Sequence, residues 1–126
     1  MKETIIIIII LSIIILAGIG TQKYLNSTSE ELIKDLDKIK EMVKTEDYSS
    51  INNECNELYN KWKKTEKKWS IIVLHNELDL IEQELIETKG YIENKNIEDG
   101  MVAIEKSIFL VRHIPEKESL RLKNVF

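Results

Sequence analysis

The chain has 126 residues, with Lys+Arg 18 against Asp+Glu 22, two histidines, one proline and a single cysteine. That length holds one apolar segment and one small domain, and a net charge of -4 argues against a nucleic-acid binder, whose phosphate contacts need a basic face. The lone Cys55 excludes an intramolecular disulfide and any metal site built on paired thiolates.

The first element is TIIIIIILSIIILAGI, Thr4 to Ile19, apolar except for Thr4 and Ser12. Isoleucine is a mediocre helix former in water, but an unpaired backbone group in lipid is so costly that this run is helical there. Sixteen residues at ~1.5 Å each give roughly 24 Å, which suits a short transmembrane span or the core of a signal peptide. Gly18 and Gly20 are poor substitutes for an A-x-A cleavage pattern, which favours retention as an anchor. LAGI, Leu16 to Ile19, has isoleucine where a lipoprotein box needs cysteine, so lipidation there is excluded. The short charged head containing Lys2 predicts a single-pass protein of the cell membrane with its C-terminal domain outside the cytoplasm.

After Tyr24 the pattern changes to an all-α domain spanning residues 24–126. Ser27 and Thr28 followed by Glu30 and Glu31 resemble a capping box, and Leu32, Leu36, Ile39 and Val43 predict a first helix over about 27–44. Asp47 is a good N-cap for a second helix. From there Tyr48, Ile51, Cys55, Leu58, Trp62, Thr65, Trp69 and Ile72 step by three and four, a heptad seam whose one polar member is Thr65. A turn over about 70–75 leads to a third helix, 76–93, carrying Leu78, Ile81, Leu85 and Ile92. A fourth carries Met101, Ile104, Ile108 and Val111 and is expected to end before Pro115, leaving a tail whose Leu120, Leu122, Val125 and Phe126 clamp onto the domain.

A shift of 53 residues superposes Leu32 on Leu85, Ile39 on Ile92, Ile51 on Ile104, Cys55 on Ile108 and Leu58 on Val111, which suggests two helical hairpins. The simplest architecture is a transmembrane helix followed by an antiparallel four-helix bundle. A tandem-hairpin solenoid is the alternative, but its signature glycines and alanines are missing. A heptad seam serves a homo-oligomer as well as an intramolecular bundle.

The stretch KWKKTEKKW, Lys61 to Trp69, is the most distinctive in the soluble part. At seam spacing, Trp62 and Trp69 read as core residues, with the lysines forming a solvated face beside them. The competing reading makes Trp69, Lys64 and Lys68 a basic-aromatic patch touching lipid headgroups or an acidic partner. His75 and His113 are brought to one end by an antiparallel hairpin, and with Asp79 and Glu116 they could ligate zinc or a similar cation. The blander account leaves His75 bordering a turn and His113 bonding the last carbonyls of its helix. Nothing announces catalysis: Ser70, Ser107 and Ser119 lack an elbow motif, Cys55 sits on a seam, no glycine-rich phosphate loop occurs, and Glu82, Glu84 and Glu87 read as a solvated face. No cofactor is expected.

Three stretches taken together, the isoleucine run, Trp62 to Asp79 with its W-x6-W-S, and His113 to Phe126, resemble the domain-of-unknown-function 4363 family of small anchored helical proteins from spore-forming low-GC bacteria. The resemblance implies a membrane-associated protein encoded beside a multi-spanning membrane protein, and it carries over no catalytic residues. The expectation is therefore a non-enzymatic interaction or accessory module for another membrane or envelope protein, with a metal or small-ligand sensor as the alternative.

Overall fold

The computed structural model describes Met1 to Val125; the Val125 side chain and Phe126, both part of the expected tail, lie outside the described residues. Four helices follow in order: α1, Lys2–Met42; α2, Tyr48–Trp69; α3, His75–Glu93; and α4, Ile97–Val125. A 3-10 turn, Val43–Thr45, closes α1, and Glu46 follows it in the left-handed region at φ 60.

The apolar stretch and the first bundle helix are one unbroken 41-residue helix. The capping box expected at Ser27 does not form. A cap serves orphan N–H groups at a helix start, and here the preceding apolar turns already supply carbonyls for them. The Thr28 hydroxyl instead donates back to the Tyr24 carbonyl at 2.9 Å. The N-cap of α2 forms as expected, with the Asp47 carboxylate accepting from the Ser50 N–H at 3.3 Å and from its hydroxyl at 2.8 Å.

The helices run up-down-up-down, each packing against two neighbours. Lys38 pairs with Glu54, Lys61 with Asp35 and Trp69 with Thr28, so α1 and α2 are antiparallel. Tyr59 and Lys63 both meet Glu82 across α2 and α3. Across α1 and α4 the partners are Lys40 with Glu105, Ser29 with Val111, and Gln22 with Pro115. The core holds the predicted stripes of all four helices, and both Trp62 and Trp69 are fully buried. Positions related by the 53-residue shift share their burial: Leu32 with Leu85, Ile39 with Ile92, Ile51 with Ile104, and Leu58 with Val111.

The fourth helix does not stop at Pro115; it continues through that residue to Val125. Proline lacks the N–H that would bond the carbonyl four residues back, which is that of Val111. The buried Ser29 hydroxyl of α1 donates to that carbonyl at 3.0 Å, and the Gln22 side-chain amide donates to the Pro115 carbonyl at 2.8 Å. A neighbouring helix thus replaces the bond that proline removes, and the last three turns persist. Leu120 is 61% exposed, so the expected clamp is not made there.

Candidate interaction surfaces

Two apolar stripes run along α4. Ile104, Ile108 and Val111 face the core, while Val102 and Phe109, seven residues apart and therefore on one face, point outward at 54% and 66% exposure. Leu80 on α3 lies beside them, half exposed, and together with Met101 and Leu110 they line a groove of about 590 Å³ between α3 and α4. Glu84, Glu105 and Lys106 frame it. Burial pushes the Glu84 carboxyl above its usual range, Glu87 adds to the shift, and Lys106 opposes it. His113 stacks on Phe109, ring centroids 5.9 Å apart and planes 9° from parallel. Scattered exposed apolar residues are ordinary, whereas a contiguous apolar trough framed by charge is the type of surface found at interaction sites and ligand grooves. It escaped the sequence reading because Val102 and Phe109 lie off the core seam; their heptad spacing was the available signal.

The lysines of KWKKTEKKW divide into two sets. Lys61 bonds Asp35 at 2.9 Å and reaches Glu31, while Lys63 contacts Glu66 at 2.8 Å and Glu82 at 2.6 Å, so these two hold α2 to its neighbours. Lys64 and Lys68 are exposed, as is Lys67, and none has an ion-pair partner among the described residues. Trp69 is not part of that exposed face. Its ring is fully buried, set edge-on against Trp62 at 5.9 Å and 89°, and its N–H donates to Thr28 at 2.9 Å. The basic-aromatic patch is therefore a patch of lysines above a buried tryptophan.

His75, Asp79, His113 and Glu116 are all exposed. The start of α3 and the second half of α4 do meet, where Lys117 pairs with Glu77. Asp79, however, groups with Glu66 and Glu82, and neither histidine nor Glu116 joins a set of three close ligating groups among the described residues. The Lys63 ammonium bonds two of those three carboxylates, supplying the positive charge they need. Glu82, expected on a solvated face, is a partly buried acceptor for Lys63 and for the Tyr59 hydroxyl, and the Lys63 bond is the main cause that holds its carboxyl below the usual range. Cys55 is buried on the α2 seam, and burial pushes its thiol up to about 11.

Comparison with curated proteins and with solved structures found no match. A sequence profile described as "Domain of unknown function (DUF4363)" matches residues 19–125, the whole bundle together with the end of the apolar stretch. On that match, the chain belongs to the DUF4363 family.

Proposed function

We propose that this protein is a non-catalytic interaction module, anchored in the membrane by the first half of α1, that holds another membrane or envelope protein against its bundle outside the cytoplasm. The observation that carries the reading is the α3–α4 groove, an apolar trough lined by Leu80, Val102 and Phe109 and framed by Glu84, Glu105 and Lys106. A trough between two antiparallel helices suits the apolar face of a partner helix, whose anchors recur every three or four residues. The anchor is supported by α1, the one helix among the described residues long and apolar enough to cross a membrane, with that stretch uncovered by the rest of the fold.

A photoreactive residue in place of Phe109, in full-length protein in its native membranes, tests this. Crosslinks to one membrane protein from position 109, and none from Asn53 on the opposite side of the bundle, support it. Self-adducts alone make the groove a homo-oligomer contact, and the absence of any adduct removes the groove from consideration. The alternative, a metal sensor on His75 and His113, has in its favour the meeting of the start of α3 with the second half of α4 at Glu77 and Lys117. It requires a zinc-dependent rise in melting temperature that His75→Ala and His113→Ala each abolish.

A further inference from the structure

The hydrogen bond from Gln22 to the Pro115 carbonyl fixes how far α4 reaches along α1. Gln22 lies three residues beyond Ile19, about 4.5 Å above the end of the apolar stretch. Because α4 runs antiparallel to α1 and continues for ten residues past Pro115, about 15 Å of helix, its last turns descend to and past the level where that stretch ends. A bilayer has a headgroup layer of roughly 5 to 8 Å on each side of its hydrocarbon. An apolar stretch of ~24 Å is also shorter than a ~30 Å hydrocarbon core, which draws the bundle toward the surface.

The residues at that level are chemically distinct from the rest. Leu120 is 61% exposed, and Lys117, Arg121 and Lys123 surround it. At the same end, the turn between α2 and α3 presents Ile71, 87% exposed, and Leu74, 51% exposed, just beyond Lys67 and Lys68. The charge is polarised to match. Residues 19–29, 64–79 and 112–125 contain eight basic and five acidic groups, whereas residues 30–63 and 80–111 contain nine basic and sixteen acidic. The overall negative charge thus conceals a positive end facing the anchor.

We infer that this end of the bundle is a second membrane contact, in which the α4 turns after Pro115 and the Ile71–Leu74 turn rest on an anionic lipid surface. Leucine and isoleucine enter the headgroup boundary while lysine and arginine stems extend along it to the phosphates. Continuity with α1 supplies the proximity, and charge complementarity selects anionic lipid over zwitterionic. The inference rests on the anchor reading, and it fixes the orientation of the α3–α4 groove relative to the bilayer. The bridging at Pro115 also keeps Leu120, Arg121 and Lys123 within the helix that approaches that surface.

The test uses full-length protein in vesicles of phosphatidylcholine, with or without phosphatidylglycerol. A fluorophore is placed singly at Leu120→Cys, Ile10→Cys or Asn53→Cys, the buried native Cys55 being protected from labelling, and quenching by nitroxide lipids is read. Expected are quenching at position 10 in both lipids, quenching at 120 that rises with phosphatidylglycerol, and none at 53. Each basic side chain near an anionic surface is worth about fivefold in the docked equilibrium, so replacing both residues by neutral ones, Arg121→Gln with Lys123→Gln, lowers docking roughly 25-fold. A label at 120 that stays open to aqueous iodide while position 10 is quenched overturns the contact and leaves the anchor standing. Equal quenching at 120 in both lipids overturns the anionic preference. An unquenched position 10 overturns the anchor and the contact together.

Discussion

The indole N–H of Trp69 on α2 donates to the hydroxyl of Thr28 on α1, and that hydroxyl donates in turn to the Tyr24 carbonyl. This short chain of hydrogen bonds ties the end of α2 to α1 just above the apolar stretch. Replacing Thr28 by Val keeps the volume and leaves a buried indole donor unpaired, at a cost of about 1 to 3 kcal/mol in urea unfolding. With Trp69→Phe already present there is no donor to strand, and the same substitution becomes nearly neutral. Additive losses in the double variant would show that the bond contributes nothing specific.

Trp62 is also fully buried, but its N–H has no partner among the described residues. Trp62→Ala is expected to cost about 3 to 5 kcal/mol by cavity formation and loss of the edge-on contact with Trp69. Trp62→Phe removes the unpaired donor and retains much of the packing, so it costs clearly less than Trp69→Phe, which surrenders a made bond. Comparing the two phenylalanine variants by thermal unfolding checks this, and the reverse order would contradict the hydrogen-bond assignment.

The bundle was legible in the sequence wherever one residue type dictated one local outcome. The α2 seam, the Asp47 cap and the turn before His75 follow from apolar spacing and side-chain capping, which are local. What the sequence concealed depends on a second helix. Pro115 reads as a stop because local rules know nothing of Ser29 eighty-six residues earlier, and the Ser27 cap signal fails because the apolar stretch already extends the helix. The groove was hidden for a related reason: a stripe carrying Val102 and Phe109 is ordinary until the fold shows that no helix among the described residues covers it.

Ser29 and Pro115 should therefore be energetically coupled. With proline present, Ser29→Ala leaves the buried Val111 carbonyl unpaired and costs about 1 to 3 kcal/mol. In a Pro115→Ala background the backbone N–H at that position returns to bond the carbonyl itself, and Ser29→Ala costs little beyond the lost packing. A double-mutant cycle by denaturant unfolding should yield a coupling of about 1 kcal/mol or more. Strict additivity would mean that α4 bends at Pro115 without help from α1.

Cys55 provides a reporter of bundle opening. Burial raises its thiol to about 11, so at pH 8 only about one part in a thousand is thiolate, against roughly a quarter for a free cysteine. Alkylation of the native protein at that pH should be slower than in denaturant by a factor of at least about a hundred. The rate should rise with Trp62→Ala, which loosens the same core. Equal rates in native protein and denaturant would place Cys55 on the surface.

Glu82 makes the bundle sensitive to acid. The Lys63 ammonium, foremost, and the Tyr59 hydroxyl lower its pKa against the opposing effect of burial. A carboxyl held below its unfolded value of about 4.3 contributes stability that is complete above that pH and is lost as the pH falls through the folded value. Glu82→Gln should therefore weaken the bundle at neutral pH by about 1 kcal/mol or less, since Lys63 is 45% exposed and solvent screens the pair. The gap between variant and wild type in urea midpoint should close as the pH is lowered below about 4. A gap that persists unchanged in acid would mean that the glutamine is disrupting packing, and that the ion pair with Lys63 contributes no charge-dependent stability.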